Sequence, residues 1–192
     1  MNYIDKILSI GKANGGYVIG KDLNERGIPR VYLSRLNKRG VLRCLAQGIY
    51  ILSDYIEDEI YTFALRYSKA SFSRYTAMYL NGLTNRQLEC IQANFPVTYN
   101  TTKIQGVKCY QPRKQLYELG QATVTTPLGH AVKSYNIERC ICDLFYFDEF
   151  DIEDKSYAVK VIDKSRLDYD KLFSYAATMK VLPQVKSVFE VI

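Results

Sequence analysis

The apolar positions change period within the first 52 residues, and each change marks an element. Tyr3, Ile4, Ile7, Leu8 and Ile10 recur at helical spacing, and Asn14-Gly15-Gly16 stops them, so the pattern predicts a helix over 3–13. Tyr17-Val18-Ile19 is a short extended piece. Lys21 to Arg26 reads as a short helix stopped by Gly27. Ile28-Pro29 turns the chain into a third helix, expected from Pro29 to Arg39 and ended by Gly40. Val41 to Leu52 holds two β-rich stretches around Ala46-Gln47-Gly48, a hairpin signal. Helix, strand, helix, turn, helix, hairpin is the order of a winged helix-turn-helix.

Beyond Leu52 the pattern is mixed. The charged break Asp54–Glu59 is the expected domain boundary, and it opens a helix reaching about Tyr67. A second helix is expected from Arg74 to Asn81, closed by Gly82. Within 88–126, four stretches read as strands of a small, mostly antiparallel sheet: Cys90–Tyr99, Val107–Tyr110, Gln115–Leu119 and Ala122–Thr126. A helix follows to about Phe147 with Ile137, Cys140, Ile141, Leu144 and Phe145 as its buried stripe. Three more are expected at about 154–164, 168–179 and 181–190. The fold class is therefore α+β: a winged domain at 1–53 and a mixed α/β domain at 54–192.

Charge gives the first domain a partner. Residues 1–52 carry nine basic and three acidic side chains, a net of +6 that equals the whole chain's excess. A basic surface of this kind suits an anionic macromolecule. On the third helix Leu33 and Leu36 face inward, while Arg30, Ser34 and Lys38 recur every four residues, flanked by Arg35. Such a face can enter a major groove, with Tyr32 beside it. Lys21, Arg43 and Gln47, at the hairpin tip, are the expected backbone or groove contacts. A second, weaker basic surface is expected from Lys155, Lys160, Lys164, Arg166, Lys171, Lys180 and Lys186.

Composition excludes other classes. At 47% hydrophobic and 24% charged the chain reads as globular, and its 17 tyrosines read first as core and rim residues. No apolar run approaches the ~20 residues that span a bilayer, and the N-terminus has no secretory pattern, so a cytoplasmic protein with no membrane contact is expected. Cys44, Cys90, Cys109, Cys140 and Cys142 lack disulfide or metal spacing and read as reduced thiols. No phosphate loop or nucleophile elbow occurs, so no enzyme activity, cofactor or metal is expected. His130, the single histidine, reads as a turn or core residue. Asp151-x-Glu153-x-Lys155 reads as a solvated charge run, although a metal-dependent nuclease could be built on such a set.

Three segments carry a family resemblance: Gln47-Gly48-Ile49-Tyr50-Ile51-Leu52, Tyr75-Thr76-Ala77-Met78-Tyr79-Leu80-Asn81-Gly82-Leu83-Thr84, and Tyr135-Asn136-Ile137-Glu138-Arg139-Cys140-Ile141-Cys142-Asp143-Leu144. In this order the chain resembles, over nearly its whole length, the antitoxin of the AbiE abortive-infection system, a type IV toxin–antitoxin pair of phage defence. The resemblance implies an N-terminal domain that binds inverted repeats in its own promoter and represses it. It also implies a C-terminal domain that counteracts a nucleotidyltransferase-like toxin without a stable complex. Glu138, Arg139 and Asp143 are then expected to be structural. The alternative is a ligand-sensing winged-helix regulator with no toxin partner, which requires a roomy apolar pocket in the second domain.

Overall fold

The computed structural model describes residues 2–189 and is of the α+β class. Compactness divides the chain into two units. One ends at Ser68 and also takes in Leu128–His130; the other holds the rest from Lys69. No helix among the described residues is long and apolar enough to cross a membrane.

The first unit starts with α1, Tyr3–Ala13. Asn2 caps it by accepting from the Asp5 amide at 2.9 Å. Strand β1, Tyr17–Ile19, leads into α2, Gly20–Glu25, and then α3, Val31–Lys38. The third helix thus begins two residues after the expected Pro29, because Pro29 and Arg30 form a tight turn whose carbonyls accept from Tyr32 and Leu33. Strands β2, Leu42–Ala46, and β3, Ile49–Leu52, make the hairpin. All three strands pair antiparallel in the order β1-β3-β2. Gly48, at φ +77, turns the hairpin, a conformation that glycine adopts freely.

This sheet is covered on both faces. Val18, Leu42 and Leu52 pack with Ile7, Ile10, Leu23, Leu33 and Leu36 from the three helices. The alternate residues Tyr17, Ile49 and Ile51 pack with Tyr61 and Leu65 of α4, Glu59–Arg66. That second layer moves the boundary. The charged break at 54–59 does not end the unit, as a domain at 1–53 would require, because the sheet's other apolar face needs α4. The buried Asp58 caps α4 and lies 2.8 Å from His130 Nδ1 in a hydrogen bond, so the turn residue expected there is tied into this unit. The His130 ring stacks on Tyr61, with centroids 4.3 Å apart.

The second unit contains two small sheets instead of one. Strands β4 (Ser71–Phe72), β5 (Ile91–Asn94) and β6 (Val107–Tyr110) run in that order, with β5 and β6 parallel. The parallel pairing of β5 with β6 departs from the mostly antiparallel pairing expected, and the loop 95–106 supplies the long return that parallel strands need. Helix α5, Arg74–Leu80, follows β4. The stretch expected as a strand at 115–119 is instead α6, Lys114–Glu118. Its Leu116 and the adjoining Leu119, three apart, pack on the core as a helix turn does. Strands β7 (Gln121–Thr125) and β8 (Ala131–Tyr135) form the second, antiparallel sheet.

At the centre of this unit is α7, Ile137–Tyr146, in which every residue from Glu138 to Leu144 is buried. The buried stripe is therefore wider than expected, and it takes in charged residues. Around it lie α8 (Ile152–Val161), α9 (Tyr169–Thr178) and α10 (Leu182–Phe189). Helix α8 starts two residues before the expected 154, inside the charge run. The expected end of the last helix, at 190, lies outside the described residues.

Candidate functional site

Helix α3 presents the face that the sequence implies. Leu33 and Leu36 are buried, while Arg30, Ser34, Arg35 and Lys38 are exposed. Arg30 sits at the N-cap of α3 and donates from Nε to Asn24 Oδ1 at 3.0 Å. Ser34 Oγ donates to the Val31 carbonyl at 3.0 Å. The Arg35 guanidinium lies 5.6 Å from the centre of the Tyr32 ring, and Tyr32 packs on Tyr3 with centroids 5.3 Å apart. Tyr32 is thus half-buried and acts as a prop for Arg35.

The hairpin tip lies beside the start of α2 and α3. The Gly20 amide donates to the Gly48 carbonyl at 2.8 Å. This bond brings Gln47, Lys21 and Arg30 to one open groove of about 790 Å³, which Arg66 and Tyr67 of the α4 end also line. Arg66 escaped the sequence reading because it follows the charged break. Its one signal is a lone cation closing an amphipathic helix. Arg43 does not join the groove. It is 3.8 Å from Glu57, an exposed pair worth little by itself. Lys21 pairs loosely with Glu25 at 4.0 Å, both strongly exposed. Arg30, Arg35, Lys38 and Arg66 have no acidic partner among the described residues.

No family model matches the chain, and no curated protein matches it. Among solved structures it is similar to the RV2827C protein from Mycobacterium tuberculosis, with a TM-score of 0.55 and 12% identity, over 98% of this chain and 80% of that one. At this identity the likeness is one of fold.

The expected C-terminal basic residues are spread over α8, a short 3-10 turn, α9 and α10. Lys155 of α8 lies over the Phe145 ring, and Lys186 of α10 over Phe173. Lys171 bonds to Asp168 at 2.8 Å. Lys160, Lys164, Arg166 and Lys180 are exposed, on α8, a short 3-10 turn and the end of α9.

Other chemistry-bearing residues are used structurally. Asp151 caps α8 in a capping box with Asp154, and Arg86 binds both carboxylates. The α8 backbone, then Arg86, hold the Asp151 carboxyl below its ordinary range. Tyr75 donates to the buried Asp154 at 2.6 Å. No group of three or more His, Cys, Asp or Glu among the described residues is placed to hold a metal ion. All five cysteines are free. Burial pushes the Cys142 thiol up to about 12 and raises Cys140 as well, which keeps both protonated and unreactive. Arg139 Nε donates to Asp143 Oδ1 at 2.8 Å, with each side chain 1% exposed, and Nη1 donates to the Leu116 and Leu119 carbonyls. Glu138 accepts from the Asp168 amide at 3.0 Å. These three charges tie α6 and α9 to α7.

Proposed function

We propose that the first unit is a winged helix-turn-helix, with α3 as its recognition helix and the β2–β3 hairpin as its wing, and that it binds double-stranded DNA. The observation that carries this reading is the unpaired cationic face of α3, set over buried Leu33 and Leu36 and continued by the groove of Lys21, Arg30, Gln47 and Arg66. A helix about 10–12 Å across fits a major groove roughly 12 Å wide. Arg30, Ser34 and Lys38 then reach base edges, with Arg35 and Tyr32 at their side. Lys21 and Arg66 neutralise adjacent phosphates and Gln47 donates a hydrogen bond to one, while Arg43 neutralises a phosphate only after leaving Glu57.

Taken with the resemblance to AbiE-system antitoxins, the reading becomes an autorepressor. The first unit recognises inverted repeats in its own promoter, and the chain counteracts a nucleotidyltransferase-like toxin encoded beside it. The test is gel retardation of the gene's upstream DNA, together with growth rescue when that neighbouring gene is induced. Arg30→Ala with Lys38→Ala should abolish retardation yet leave rescue intact. Unchanged retardation in the double variant sinks the docking scheme.

A regulator that senses a ligand and has no toxin partner is the second reading. The second unit does hold an open cavity of about 700 Å³, and Tyr110, Leu116, Tyr146 and Phe147 line it together with Arg74, Arg113 and Arg139, so its walls are mixed and not the apolar ones that this alternative requires.

A further inference from the structure

That cavity lies at the carboxyl ends of the two parallel strands, since Asn94 ends β5 and Tyr110 ends β6, and both line it. Open sheets bind ligands outside the carboxyl ends of parallel strands, and small-molecule pockets run from about 300 to 1,000 Å³.

Arg74 is its most unusual residue. It holds φ +51, left-handed for a side-chain-bearing residue, a strained conformation retained where surrounding structure enforces it. Its guanidinium carbon lies 3.7 Å from the ring centres of both Tyr110 and Phe147, a cation held between two aromatic faces. Nη1 donates to Glu149 at 2.8 Å, while Nε is buried with no hydrogen-bond partner. A buried donor left without an acceptor is destabilising. Arg74 lines the cavity, and a guanidinium there can take a carboxylate or phosphate in a charge-assisted pair.

The neighbouring charges favour an anion. Arg113, at the N-cap of α6, is exposed. Arg139 lines the same cavity, compensated by Asp143. Three cations thus stand against Glu149 and Asp143. Tyr146, 40% exposed and packed edge-on against Phe147, leaves an open aromatic face at the rim. Cations with an exposed ring select a planar group that carries a negative charge.

We propose that this cavity binds a nucleoside monophosphate, its phosphate received by Arg74 and Arg113 and its base laid against Tyr146. The site belongs to the second unit and stands independently of DNA binding by the first. Calorimetric titration of the full chain tests it with adenosine and cytidine monophosphates, the corresponding nucleosides, and inorganic phosphate. A monophosphate should bind at least about tenfold tighter than its nucleoside or inorganic phosphate, the loss expected for one charge-assisted bond or one stacking face. Arg113→Ala and Tyr146→Ala, both at exposed positions, should each weaken it about tenfold while the melting temperature without ligand stays put. Absence of binding at millimolar nucleotide, equal binding of inorganic phosphate, or insensitivity to both substitutions overturns the assignment.

Discussion

Two residues of the second unit carry energies that simple substitutions can read. Lys180 follows α9 at φ +60, in the left-handed position where its neighbour's amide, Val181, bonds back to the Ala176 carbonyl. A left-handed conformation costs an ordinary residue roughly 1–2 kcal/mol, and glycine escapes that cost but gains freedom when unfolded. Lys180→Gly should therefore stabilise the protein by about 1 kcal/mol in urea denaturation, and a destabilisation would show that the lysine side chain contributes packing or pairing. Arg139 argues the other way. Arg139→Met strands Asp143 as a buried, uncompensated charge, a loss of about 3–5 kcal/mol. Adding Asp143→Leu should recover part of it, but not all, because the Leu116 and Leu119 carbonyls lose their donor too. The sequence made the ion pair legible, since four-residue spacing on a helix brings two side chains together. It did not reveal those carbonyls, which α6 delivers from elsewhere in the chain.

At the scale of elements, local signals were readable and distant pairings were not. Helix α1 appears at its expected bounds because its stripe, its cap and its glycines are all contiguous. Residues 115–119 resemble a strand by alternation, yet they fold as α6 because Leu116 and Leu119 find the core around α7. Strand β8, at Ala131–Tyr135, left no distinct pattern, since its identity comes from pairing with β7. Likewise, only the buried second face of the β1-β3-β2 sheet explains why α4 belongs with the first unit. Caps are the most local signals of all, and they set the acid response. Asp151, Asp163 and Asp168 cap α8, the 3-10 turn and α9. Each lies below the ordinary aspartate range: the α8 backbone holds Asp151, Ser165 holds Asp163, and Lys171 holds Asp168. A carboxyl depressed on folding contributes fully above its unfolded value, about 3.9, and loses that contribution as pH falls through its folded value. Stability should thus decline below about pH 4. Asp151→Asn, which can still cap but cannot titrate, should flatten that limb in pH-dependent urea melts; an unchanged limb would exclude Asp151 as a contributor.

For the whole molecule the decisive quantity is which cations are free, more than the net charge. The +6 of residues 1–52 falls to +3 once the unit is extended to Ser68, which adds four acids and Arg66. Two of its cations are already partnered, Lys21 by Glu25 and Arg43 by Glu57. Arg30, Arg35, Lys38 and Arg66 are not, and the DNA reading rests on them. Net charge alone would make every surface cation nearly equivalent, with small effects when any one is removed. Direct phosphate contact makes them unequal, because each neutralised phosphate releases counterions and adds about 0.9 to the slope of log affinity against log salt. Fluorescence anisotropy on promoter DNA, titrated across salt, separates the two. Arg66→Ala should reduce the slope by about 0.9. Arg30→Ala with Lys38→Ala, whose side chains reach base edges, should weaken binding while reducing the slope by less than the about 1.8 of two phosphate contacts. Lys12→Ala, an equal change of charge on exposed α1, should leave it unchanged. If Lys12→Ala lowers the slope as much as Arg66→Ala does, the first unit holds DNA by diffuse charge, and the groove beside the hairpin has no special part in it.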